Sequence, residues 1–410
     1  MKSIVIITSG QPATNPRLVK EADTLVEAGY EVKVIYQYRD EWAAHLDKQL
    51  LVQKKWEAIC VGGTPVSDKW LYLLTRLHHK IAQLFLKRLG FKSLAALGRC
   101  TPLLIKKAKK TKANLYIAHN LAALPVAVKA AKTNQAMAGF DAEDFHRYEE
   151  TDNDSDPLVK LKIAVEDQYI PQLDYLTVAS PLIGEAYTKL YPQVKNTTIL
   201  NTFGIQQLAA KKTKSEQVLK LFWFSQTIGA NRGLESVIEA MGLAKPCRLQ
   251  LHLLGAYQEA TQAYFDQIAV QHSLTEGAIV YHHPIPEQEL FSFAQQFDIG
   301  LATEIGYPKN RDICLTNKIF TYVQAGLCIV ASNTTAQQQL MSAYPGMGLT
   351  FGSAKELAAM FATYANNPVL LRTHQQQALK YAHETLNWEE EQKKFLFIIK
   401  QLDLRQNNSH

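Results

Sequence analysis

The chain is poor in cysteine and in long apolar runs, and each shortage excludes something. Five cysteines in 410 residues (Cys60, Cys100, Cys247, Cys314, Cys328) are scattered, odd in number and never spaced as C-x-x-C. That argues against a disulfide framework and a structural zinc site, and for a reducing compartment. No apolar run approaches the roughly 20 residues needed to cross a bilayer. The opening MKSIVIITSG has one lysine and a short apolar run, too brief for the core of a signal peptide. It reads as a first strand, and the expected location is cytoplasmic. The loop after it, SGQPATNPRL, lacks the G-x-G-x-x-G spacing, which disfavours a nicotinamide cofactor. Acidic residues are absent from 69 to 140, whereas residues 141–174 begin with the acidic DAEDFHRYEETDNDSD.

What is present describes a globular protein: 47% hydrophobic and 20% charged residues with a net charge of +6. The length exceeds one ordinary core, so two domains are expected. Strand-like runs recur at 4–7, 32–35, 58–61, 115–118, 138–140 and 176–179, then again at 221–224, 249–254, 279–281, 299–302, 328–331 and 348–351. Helical segments separate them. The alternation predicts an α/β protein of two tandem Rossmann-like, doubly wound domains with parallel sheets. The joint is expected within Asn201–Ser215, which gives a first domain of residues 1–203, a second of 204–384 and a closing helical segment of 385–410. Ligands of such sheets bind beyond the carboxyl ends of the strands, so a central cleft is the expected site.

The most informative stretch is 298–332. A strand feeds a loop with Lys309 and Arg311, then a short helix and a second strand. Thr316 suits the N-cap of that helix, Ile319, Phe320 and Val323 form its apolar stripe, and Gly326 suits its end. Free amides and a positive dipole at the helix start, with Lys318 nearby, favour phosphate. Earlier, SQTIGANRGLESVIEA (225–240) follows a strand with a polar turn, and Arg232 stands at the helix entrance. Its guanidinium suits forked bonds to phosphate oxygens, although a solvated surface arginine would look the same.

In the first half, His119 follows a strand, which predicts a place at the strand's carboxyl end, facing the cleft; a capping or core histidine is the alternative. Asp141, Glu143 and Asp144 also follow a strand and could bind acceptor hydroxyls, or form a solvated acidic loop. Asn15 with Pro16 marks a helix start. The segment 69–90 is a basic amphipathic helix, with Trp70, Leu74, Leu77, Ile81 and Leu84 on one face and Arg76, Lys80 and Lys87 elsewhere. Two readings stand: a core helix with a solvated basic face, or, with the lysines of 104–112, adsorption to an anionic membrane surface. Leucine-rich interleaving and the absence of a recognised motif argue against nucleic acid. At the carboxy-terminal end, Asn387 predicts the N-cap of a helix with Glu389, Glu390 and Glu391 in its first turn. Phe395, Leu396, Ile398, Ile399 and Leu402 form its apolar face.

Taken in order, these segments resemble the retaining glycosyltransferases of family 4, which have the GT-B fold. SQTIGANRGLE resembles that family's glycine/basic turn, with Arg232 and Gly233 on its K-G pair. Val323 to Ser332 resembles the end of the family's second motif. NPRLVKEADTLVEAGYEVKVI, AHNLAALPVA, FDAEDF and NWEEEQKKF resemble further segments in the expected order. The resemblance implies transfer of a sugar from a nucleotide diphosphate sugar to a hydroxyl, with retention of configuration and no cofactor or metal. The acceptor class expected is a glycolipid or surface polysaccharide intermediate. It assigns His119 to the active centre; Arg232 and Lys318 are the further candidates for catalysis, with Lys309, Arg311 or Lys318 as substitutes for a positive charge missing from the family's pattern. Thr227, Gly229, Arg311, Thr316, Asn317 and Thr321 fall to the donor, and Asn15, Asp141 and Glu143 to the acceptor side. The family's paired glutamates fall on Ile313 and Thr321, and a basic position falls on Thr227. These departures keep open a nucleotide-sugar epimerase or a non-catalytic, scaffold-like relative. Asp152-Asn153-Asp154 has the form of a metal-nucleotide motif but follows no strand. As a calcium loop it has Pro157 for glycine and Ile163 for glutamate. No metal site is expected.

Overall fold

Apolar β-branched runs separated by helical patterns form strands that pair in parallel, because each crossover helix returns the chain to the same edge of the sheet. The computed structural model describes residues 2–208 and 218–407 and divides into two units. The first comprises the chain to Leu200, Pro308–Asn310 and the chain from Gln392; the second comprises Asn201–Tyr307 and Arg311–Glu391. Of the joint expected at 201–215, residues 209–215 lie outside the described residues.

The first unit holds strands β1 (Ser3–Thr8), β2 (Glu31–Gln37), β3 (Glu57–Val61), β4 (Leu115–His119), β5 (Met137–Ala142), β6 (Tyr175–Val178) and β7 (Asn196–Thr198). Their order is β3-β2-β1-β4-β5-β6-β7, all parallel. The order reverses between β1 and β4, which puts crossover helices on both faces of the sheet. Ile6, Ile7, Ile35, Ile117 and Phe140 are wholly buried. Register aligns Thr8, His119 and Asp141 across the carboxyl edge. β7 was not expected: it is a three-residue edge strand of Asn and Thr, with no apolar signal.

In the closing helix, Trp388–Asn407, Asn387 Oδ1 accepts from Glu390 N at 2.9 Å, the expected cap. Phe395, Ile399 and Leu402 are buried. Ile399 and Leu402 border a small crevice of the first unit with Ile4, Tyr30, Leu115 and Met137.

The second unit holds β8 (Leu219–Thr227), β9 (Leu249–Ala256), β10 (Ile279–His282), β11 (Ile299–Ala302), β12 (Cys328–Ser332) and β13 (Gly348–Phe351). The order β10-β9-β8-β11-β12-β13 is again parallel and reverses between β8 and β11. One cluster in its core joins Leu221, Trp223, Leu253, Leu301 and Val330 to Leu234, Val237 and Phe361 of the helices. Separately, Tyr322 packs edge to face against the stacked pair Phe222 and Phe224, and its hydroxyl donates to Leu301 O at 3.0 Å.

That aromatic packing explains Gly300, because a Cβ there would lie 2.2 Å from Cγ of Tyr322. The ring is fully buried and cannot swing away. Gly300→Ala is therefore expected to destabilise the second unit by roughly 1–3 kcal/mol through overpacking, read as a lower denaturation midpoint in urea. An unchanged midpoint would mean the helix carrying Tyr322 shifts freely.

Candidate functional site

In the first unit, the helix Pro16–Glu27 carries Arg17 and Glu21 one turn apart on the same stripe as Leu18, Ala22 and Leu25, so both charges point inward. Arg17 grips Asp141 in a fork, with Nε to Oδ2 at 2.5 Å and Nη2 to Oδ1 at 2.6 Å, and Nη1 donates to Ile199 O at 2.5 Å. Thr177 Oγ1 donates to Asp141 Oδ1 at 2.7 Å. His119 Nε2 lies 3.0 Å from Glu21 Oε2, and its Nδ1 is 3.5 Å from both Asp141 Oδ2 and Glu143 Oε1. Arg17, Glu21, His119 and Asp141 are 0% exposed; Glu143 alone opens outward, with its side chain 26% exposed.

Burial by itself would discharge the imidazole of His119. Glu21, Glu143 and Asp141 overcome that and raise its pKa to about 10. Burial likewise opposes the charge on Asp141, but Arg17 and His119 bring its pKa below the ordinary value. Glu21 is raised by burial and by Asp141, against the pull of His119 and Arg17. The cluster is thus two cations set among three carboxylates. Glu21, His119 and Asp141 are gathered closely enough for a cation, but the guanidinium of Arg17 already takes both oxygens of Asp141.

Two expectations need correction here. His119 stands at the carboxyl end of β4 as expected, yet its side chain is wholly enclosed, with 0% exposure. Asp141 is bound to Arg17 and is not free to meet an acceptor. Asn15 is the cap of its helix, accepting from Leu18 N at 3.0 Å. Asp144 accepts from Asn310 Nδ2 at 2.8 Å. Lys309, expected beside the phosphate-binding helix, belongs to the first unit: its amide donates to Asp152, and its ammonium lies 5.5 Å from the ring of Phe145.

In the second unit, the turn after β8 closes through Gly233, whose φ of +79° and contact with Thr303 leave no room for a Cβ. Thr303 Oγ1 accepts from Trp223 Nε1 at 3.0 Å and donates to Arg232 O at 2.7 Å. The Arg232 guanidinium donates to Ser225 Oγ at 2.5 Å and to Thr227 Oγ1 at 3.5 Å. It has no carboxylate partner among the described residues. Lys318, in the first turn of the helix Asn317–Ala325, has its ammonium 5.4 Å from the Trp223 ring and 2.7 Å from Glu304 Oε1. Glu304 N donates to Ser332 Oγ at 2.9 Å. The Arg232 carbonyl and the Lys318 ammonium are thus both tied to the Trp223–Thr303 pair, near the carboxyl ends of β8 and β11.

The helix Asn317–Ala325 has the expected ends, Thr316 and Gly326 (φ +65°), but the Thr316 hydroxyl does not cap it and has no partner among the described residues. Asn317 opens that helix, half-buried; Arg311 is half-buried in the short helix Lys309–Ile313, and Gly229 is half-buried in the turn, open around its Cα. Thr321, expected on the donor side, is 0% exposed, and its hydroxyl has no partner among the described residues. Arg17, Glu21, Thr303 and Glu304 were not expected. A charged i, i+4 pair on an apolar stripe signalled the first two. Nothing local signalled the others.

No family model and no curated protein sequence matches the chain. Solved structures match in fold. HepE of Anabaena in complex with UDP has a TM-score of 0.69 at 14% identity, covering 98% of this chain and 100% of that one. HepE in complex with UDP-glucose has a TM-score of 0.68 at the same identity and coverage. Sucrose-phosphate synthase of Thermosynechococcus elongatus has a TM-score of 0.69 at 13% identity, covering 99% of this chain and all of that one. The chain carries the GT-B fold, two Rossmann-like domains with parallel sheets.

Proposed function

We propose that the chain is a glycosyltransferase that moves a sugar from a nucleotide diphosphate sugar to a hydroxyl of a glycolipid or surface polysaccharide intermediate. The reading includes retention of configuration, no metal, a first domain of residues 1–203 on the acceptor side and a donor domain of 204–384. One observation carries it: a half-buried arginine without an acidic partner among the described residues, at the reversal point of a parallel sheet. The amide end of the helix Asn317–Ala325 and Lys318 share that edge. Such an edge suits a diphosphate. The solved complexes of HepE with UDP and UDP-glucose support the choice of ligand.

As the glycosidic bond breaks, the diphosphate gains negative charge. Donors fixed in advance around it stabilise that charge more in the transition state than in the ground state. Arg232 supplies a fork, and the amides near Thr316 and Asn317 supply dipoles. Thr227, Gly229 and Arg311 line the approach. Lys318 contributes less net charge, because Glu304 already pairs with it. On the acceptor side, Glu143 is the carboxylate with room to meet a hydroxyl. His119 acts as a positioning residue, a buried imidazole with Nδ1 3.5 Å from Glu143 Oε1.

A thermal-shift series with UDP, GDP and ADP and their sugar derivatives tests the reading. One nucleotide sugar is expected to raise the melting temperature, corresponding to about 2.7 kcal/mol at a hundredfold excess over its Kd. Transfer assays with that donor, with product anomers read by NMR and with chelator added, then follow. No shift with any nucleotide sugar overturns the proposal. A second reading, a binding protein without turnover, is favoured by the buried Ile313 and Thr321 at the positions of the family's glutamates. It predicts binding with neither transfer nor donor hydrolysis.

A further inference from the structure

The helix Lys69–Leu89 has three sectors. Thr75, Ala82 and Leu86 are buried against the first unit, and His79 Nδ1 lies 2.5 Å from Ala95 O. A second sector, broadly opposite, is apolar and open to solvent: Trp70 is 80% exposed, Leu74 62%, Leu77 57% and Leu84 54%. The reading as a core helix with a solvated basic face is thereby overturned, since much of the apolar face points outward. Phe85 and Ile81 extend the same sector, and Phe91, just past the helix, is 63% exposed. The third sector is a row of cations, Lys69, Arg76, Lys80 and Lys87, recurring at helical spacing along one border of the apolar stripe. All four are exposed, and no acidic residue occurs from 69 to 140.

We propose that this face lies on an anionic lipid membrane, with the leucines and Trp70 entering the acyl boundary and the cation row on the headgroups. An apolar stripe bordered by a cation row on a rigidly seated helix matches the layered chemistry of that interface. At 21 residues the helix presents about 30 Å of edge lying along the surface. It does not span: among the described residues no helix is long and apolar enough to cross a membrane. A second copy of this chain in an antiparallel two-fold contact suits the face poorly, because it would bring two rows of cations together. Nucleic acid would use the charge but not the leucines.

Sedimentation of the full chain with vesicles tests this, comparing phosphatidylcholine alone with phosphatidylcholine plus phosphatidylserine at low and high salt. No donor or acceptor is present, so a failure here leaves the transferase reading intact. Binding is expected only with phosphatidylserine and should weaken with salt. The triple change Arg76→Gln, Lys80→Gln, Lys87→Gln should lower the partition coefficient roughly fivefold per cation lost. Leu77→Ser with Ile81→Ser should abolish binding at high salt, and both variants should keep the parent melting temperature, because the altered side chains are exposed. Three results would overturn the proposal: no vesicle binding, binding indifferent to Leu77→Ser with Ile81→Ser, or sedimentation as a dimer that this double change dissociates.

Discussion

Arg232→Ala is expected to weaken binding of the preferred nucleotide sugar by roughly 30-fold or more, equivalent to about 2 kcal/mol. The estimate follows from the surroundings of the guanidinium. Its partners in the unliganded protein are the neutral hydroxyls of Ser225 and Thr227, so its charge remains available to a diphosphate. For the same reason the change should barely alter the melting temperature without ligand. Arg232→Lys should recover only part of the affinity, since an ammonium cannot reproduce a fork of two parallel donors. Lys318→Ala is the informative contrast. It leaves the carboxylate of Glu304, 13% exposed, without its cation, so the apo protein should melt earlier. Titration calorimetry on the three variants, alongside apo melting curves, checks the set. Full affinity in Arg232→Ala would remove the arginine from the donor site.

How far the sequence reveals this arrangement depends on how local each feature is. Apolar runs such as Ile4–Ile7 and Cys328–Ala331 are legible because burial on both faces of a parallel strand leaves little choice of residue. The helix ends at Gly326 and Asn387 are legible because caps are written within a few residues, and Thr316 marks a helix start although its hydroxyl makes no cap bond. Arg17 and Asp141 meet across 124 positions, and no periodicity reports such a partner. Lys318 carries a helix-start signal, yet its neutralisation by Glu304 depends on the loop after β11. The helix Lys69–Leu89 shows a third kind of limit. Its stripe is plain in the sequence, but periodicity does not say whether that stripe meets a neighbour or solvent.

The buried cluster in the first unit carries the largest expected stability effect. Arg17→Met leaves Asp141 and Glu21 with a single buried cation, His119, in a place closed to water. Asp141→Ala leaves Arg17 enclosed without its forked partner. Breaking such a pair from one side is expected to cost roughly 3–5 kcal/mol, because the remaining charge stays desolvated. Thr177→Val removes one neutral donor and should cost about 1 kcal/mol. The pH dependence follows from the sign of each shift. His119 has its pKa raised in the folded state, to about 10 from about 6.5 in the unfolded chain. The stability it contributes is complete below about pH 6.5 and is lost as the pH climbs through about 10. Asp141 has a depressed pKa, so its contribution holds above its unfolded value and is lost under acid. Denaturation curves from neutral to alkaline pH should therefore show falling stability, and His119→Gln should flatten that slope. A parent protein equally stable at pH 7 and pH 10 would mean that the imidazole is neutral. No buried cation would then stand 3.5 Å from Glu143 on the proposed acceptor side.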